Sequence, residues 1–175
     1  MKYLINLIII LSLFTQVSHA QRTRTVEEYK VLSDSIATLI KLVEKDSISY
    51  AGMSFSEFVK QLEKLGLDIM HISLEYNSQL LYPQHVYGVM LWFLTQETRD
   101  FARANNLSRS YITVYFTESK PYEKAIDLHR KYQGNFEEEV AAFYGDAIVH
   151  SLYFHRPKDI YLVRRTVNKQ IEKVE

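Results

Sequence analysis

The chain has 175 residues, 21 basic and 21 acidic side chains and no cysteine. The missing thiol excludes disulfide frameworks, thiolate nucleophiles, Cys-ligated zinc or iron–sulfur sites and a lipid-modified N-terminal cysteine, and the balanced charge argues against a nucleic-acid binder, which carries a basic excess. With 47% apolar and 13% aromatic residues but only 5 Gly and 3 Pro, the composition is that of a well-packed domain with few tight turns.

Residues Met1 to Ala20 have the layout of a secretory signal: Lys2 supplies the positive start, Tyr3 to Phe14 the apolar stretch, and Ser18-His19-Ala20 the small side chains of a cleavage site. The apolar stretch is broken by Asn6 and Ser12 and falls short of the roughly 20 residues that span a bilayer. Cleavage leaves a domain beginning at Gln21 with a net charge of −1, exported to the periplasm or the outside and not inserted in the membrane.

Thr25 with Glu28 forms a capping box ahead of a helix whose apolar positions run from Val26 to Val43. Ile48 to Ala51 reads as a short β-like stretch ending at Gly52. A second box, Ser54 with Glu57, opens a helix with Phe55, Phe58, Val59, Leu62 and Leu65 on one face and Gly66 as its stop. Leu67 to Tyr76 and Ser110 to Thr117 alternate as half-buried strands, and His85 to Thr95 is apolar on both faces, as a central strand is. Gln96 to Arg109 is a polar connection. Pro121 starts a helix that Gly134 ends, and Asn135 starts another predicted to reach Phe154, blocked by Pro157. Ile160 to Val163 can add an edge strand. These elements predict an α+β fold: an antiparallel three- to four-stranded sheet with about four amphipathic helices, a single domain over 21–163, and a polar tail over 164–175.

The segment Tyr50 to Ile69, with Gly52, the Ser54-to-Leu65 helix and the Gly66-Leu67 pair, resembles the start of a PASTA domain, the extracellular module of penicillin-binding proteins and serine/threonine kinases. The resemblance implies an exported module in contact with cell-wall material. It carries over no functional residue, because the matching positions are structural, and Gln96 to Arg109 departs from the family as a long insertion.

Two residue sets bear on function. If the helix to Phe154 is regular, Glu139, Asp146 and His150 share one face, an arrangement for general acid–base or metal-assisted hydrolysis. A helix face with an Asp–His pair is its structural equivalent, and neither a metal nor any other cofactor is called for by a recognised ligand motif. The second set comes from the unusual tyrosine count of 13. Tyr111 and Tyr115 fall on one face of a strand, suited to a cell-envelope glycan or a protein partner if no helix covers them. The leading expectation is therefore a noncatalytic binding module; the alternative is a small exported enzyme.

Overall fold

The computed structural model describes residues 25–75 and 84–156. The signal-like segment, the turn residues Asn77 to Gln79, Ile160 to Val163 and the polar tail lie outside these residues. Among these residues six helices, α1 (Val26–Lys45), α2 (Ser47–Tyr50), α3 (Phe55–Lys64), α4 (Gln96–Ala104), α5 (Tyr122–Lys131) and α6 (Glu138–Tyr144), combine with four strands, β1 (His71–Leu74), β2 (His85–Trp92), β3 (Tyr111–Pro121) and β4 (Val149–His155). The strands form one antiparallel sheet in the order β1-β2-β3-β4, so the domain is α+β. Among the described residues no helix is long and apolar enough to cross a membrane.

The capped helices form as their signals require. Thr25 and Ser54 each accept from the backbone three residues on, while Glu28 and Glu57 reach back to the cap amide. Gly66 closes α3 with φ 79°, a left-handed conformation that costs glycine little. Alternation along the strands sorts the sheet into two faces. Rows Leu91–Ile112–Phe154 and Val89–Val114–Leu152 share one face, and Phe116, further along it, meets the α3 residue Phe55 edge-on at 5.6 Å. Phe55 also meets Phe136 and the α6 residue Tyr144 at 6.3 and 6.1 Å. This aromatic cluster, with Ile40, Val43 and Leu62, all fully buried, forms the core between sheet and helices.

Four expectations are corrected. Ile48 to Ala51 is no strand: Ser47–Tyr50 is a helical turn, with Ile48 72% exposed, and the chain meets β4 only after it, where the Gly52 amide donates to the Val149 carbonyl at 2.9 Å. The polar connection after Thr95 contains α4, capped by the Thr95 hydroxyl on the Thr98 amide at 3.3 Å. The helix predicted from Asn135 to Phe154 stops at Tyr144, and its second half is β4, which pairs along β3. Strand residues 67–70 and 93–95 also fall outside β1 and β2.

Candidate functional site

The correction at β4 decides where the candidate residues lie. Glu139 sits on α6, Asp146 in the turn after it and His150 on β4, so the three do not share a helix face. Glu139 is held by Lys131 and accepts from the Tyr132 hydroxyl at 2.6 Å; these two partners, Lys131 first, keep its carboxyl below the usual range. Asp146 pairs with Lys120, which lowers its carboxyl likewise. Each carboxylate thus has its own cation at the surface, the reverse of the raised pKa that a general acid needs. Among the described residues no group of three His, Asp or Glu side chains is placed to hold a metal ion.

Tyr111 and Tyr115 do share a face, and it is the one turned away from the core. The strand register sets out three cross-strand rows on it: His71–Trp92–Tyr111–His155, then Ser73–Met90–Thr113–Tyr153, then Gly88–Tyr115–Ser151. Trp92, Tyr111, Tyr115 and Tyr153 all stand outside the hydrophobic core cluster. In the first row the rings stack across three strands: Tyr111 lies 4.3 Å from Trp92 and 4.0 Å from His155, nearly parallel to the latter at 10°. Such offset contacts between neighbouring strands stabilise the sheet by about 0.5–1.5 kcal/mol each. Arg99 and Arg109 close over Trp92 at 5.0 and 5.6 Å from its ring centre, and the indole N–H donates to the Ser73 hydroxyl at 3.1 Å.

The third row depends on a glycine. A methyl on Gly88 would lie 2.9 Å from Tyr115 Cδ1 and 3.0 Å from the Val114 carbonyl, so the Tyr115 ring rests on the bare β2 backbone. Glu75, whose amide donates to the Gly88 carbonyl at 3.1 Å, accepts from the Tyr115 hydroxyl. Burial first, and then the Glu75 charge, push that hydroxyl up to about 12. Tyr153 meets Tyr115 edge-on at 5.3 Å and is 38% exposed; His155 is also exposed.

Strand alternation predicts Tyr111 and Tyr115 on this face but not Trp92, Tyr153, His155, Glu75, Arg99 or Arg109. A period-two signal for Tyr153 and His155 was present, since Val149, Ser151, Tyr153 and His155 alternate with His150, Leu152 and Phe154. It was masked by helical spacing inherited from Phe136 to Tyr144.

At the β1 end of the first row, His71 and His129 meet ring to ring at 6.0 Å. Burial is the main cause holding His71 down at about 4, with Arg99 and His129 adding to it, and burial likewise lowers His129 although its ring donates to the Ile72 carbonyl. A neutral imidazole in the fold and a more basic one in the unfolded chain, near 6.5, means that protons favour unfolding. This contribution to stability is complete above about pH 6.5 and is lost as the pH falls towards 4. Urea midpoints measured across this window are expected to fall with acid, and more gently for His71→Gln; an identical slope in that variant would remove His71 from the account.

No family model, curated protein or solved structure matches the chain.

Proposed function

We propose that the protein is a noncatalytic binding module of the cell envelope, exported by its N-terminal signal-like segment, which contacts a protein partner through the sheet face bearing Tyr111, Tyr115, Tyr153 and His155. The observation that carries this reading is an aromatic face outside the core, on the side of the sheet away from Phe55 and Tyr144. A protein partner fits better than a glycan because both faces of the Tyr111 ring are occupied, by Trp92 and His155. What remains for a partner is ring edges, hydroxyls and the neighbouring Arg109 charge, the mixture enriched where proteins meet. The PASTA resemblance adds the envelope setting and no residue of this face.

The test is capture of envelope proteins by residues 21–175, followed by affinity measurement on the protein retained. Tyr111→Ala with Tyr115→Ala is expected to weaken binding by about 30-fold, corresponding to about 2 kcal/mol for a central aromatic pair. Tyr153→Ser with His155→Ser changes exposed side chains and guards against a folding defect; it should weaken binding about tenfold with an unchanged circular dichroism spectrum. Equal binding by all variants would sink the proposal, as would retention by purified peptidoglycan with no protein partner.

A further inference from the structure

Beside this face, along the outer side of β1, a cleft of about 560 Å³ opens between β1, α4 and α5. Its polar lining comes from Arg99, Arg103, His71, His129, Ser73 and Gln133, joined by Gln96, and includes no carboxylate among the described residues. Arg99 is 6% exposed. Its guanidinium donates to the Gln96 side-chain oxygen and lies over Trp92, and no carboxylate pairs with it among the described residues. Arg109 shares the same indole, so a second positive charge stands beside the first. The nearest acid on α4, Asp100, is engaged by the Gln96 amide at 2.9 Å and by Arg103 at 3.9 Å.

Asp100 is one negative charge beside Arg99, against the like charges of Arg103 and Arg109, and burying a guanidinium in so unbalanced a group is costly. Three buried nitrogens here, Arg99 Nε, His71 Nδ1 and His129 Nδ1, also have no hydrogen-bond partner. Buried polar atoms left this way call for an explanation, and the Arg99 Nε–H, a donor in a buried side chain, suits an acceptor from outside the chain. Ser73 accepts the indole N–H, which leaves its own O–H free to donate. The cleft therefore joins guanidinium and hydroxyl donors to a cluster of arginines that the single carboxylate of Asp100 does not balance. Burial lowers Arg99 only to about 10, so it is cationic at neutral pH.

We propose that this cleft binds a phosphate-type oxyanion, free or as a monoester, with Arg99 and Arg103 as its charged partners and Ser73 and Gln133 as neutral donors. The fork of a guanidinium matches two oxygens of a tetrahedral oxyanion, and the volume lies within the usual range of small-ligand sites, about 300–1,000 Å³, leaving room for an organic group. This assignment is independent of the sheet-face proposal.

Trp92, the only tryptophan of the chain, is a built-in reporter because Arg99 rests on its ring. Inorganic phosphate and glycerol phosphate are titrated into the full domain at constant ionic strength, following Trp92 emission and the imidazole resonances of His71 and His129. A saturable change is expected, with Arg103→Ala binding at least tenfold more weakly. The Arg103 side chain is 70% exposed, so its removal leaves the fold intact, and Arg130→Ala, an arginine of α5 outside the cleft, should change affinity less than twofold. Tighter binding of the ester would assign the spare volume to its organic group; equal binding would assign the site to the free ion. An equal response to chloride, no saturation by 20 mM phosphate, or unchanged affinity in Arg103→Ala would overturn the proposal.

Discussion

Phe55→Ala is expected to lose about 3–5 kcal/mol of unfolding free energy, which is most of the stability of a marginal domain. Phe55 is fully buried and is where three elements meet: its ring contacts Phe116 of β3, Phe136 ahead of α6 and Tyr144 of α6. Truncation removes the apolar transfer energy and leaves a cavity whose walls cannot collapse, because each wall is itself an aromatic ring fixed by another element. Urea denaturation followed by Trp92 fluorescence and by far-ultraviolet circular dichroism measures the change. A loss below about 1.5 kcal/mol would mean that the cluster repacks and is not the structural centre described above.

Gly134→Ala is expected to cost about 2–4 kcal/mol, combining backbone strain with a steric clash. Gly134 follows Gln133, and both are left-handed, with φ 81° and 54°. Its carbonyl accepts from the Ile72 amide at 2.7 Å, so the turn after α5 is sewn to the outer edge of β1. A methyl placed there would stand 2.5 Å from His71 Nε2 and 2.9 Å from His129 Cε1. The His71 ring is 6% exposed and stands against His129, which limits its retreat. Gly52 and Gly66 provide the comparison: they have φ 87° and 79° with nothing within 4 Å of an added methyl. Alanine at either should cost only the conformational part, about 1–2 kcal/mol. Equal losses at all three would show that the His71 ring yields. A cycle with His71→Ala separates the two parts, because removing the ring should return the steric share and leave the left-handed strain in place.

Much of the architecture was legible because its signals are local. Thr25 with Glu28 and Ser54 with Glu57 build their capping boxes from residues three apart, and Gly66 and Gly134 take the left-handed conformation at the ends of α3 and α5. The sheet face of Tyr111 and Tyr115 was legible too, since alternate strand residues share a side whatever the strand packs against. The helix α4 was not legible, because its buried face is Thr98, Arg99 and Ala102, with Phe101 the one large apolar side chain packed against the core. A charged residue packed on an indole does not register as part of an apolar stripe.

The candidate carboxylates show the other limit. Glu139, Asp146 and His150 have helical spacing, yet Gly145 and Asp146 form a turn and His150 lies on a strand. Residues 149–155 satisfy both periods, and the choice fell to the partner: β3 offers a free ladder of backbone groups and cross-strand contacts for Tyr153 and His155 that an isolated helix lacks. Local chemistry by itself determined where helices begin and end and which strand residues lie together. Only the tertiary structure decided that the chain after Gly145 is β4, that Tyr111 is stacked on both sides, and that Arg99 shares a cleft with His71 and His129, because those outcomes depend on groups distant in sequence competing for the same backbone and the same space.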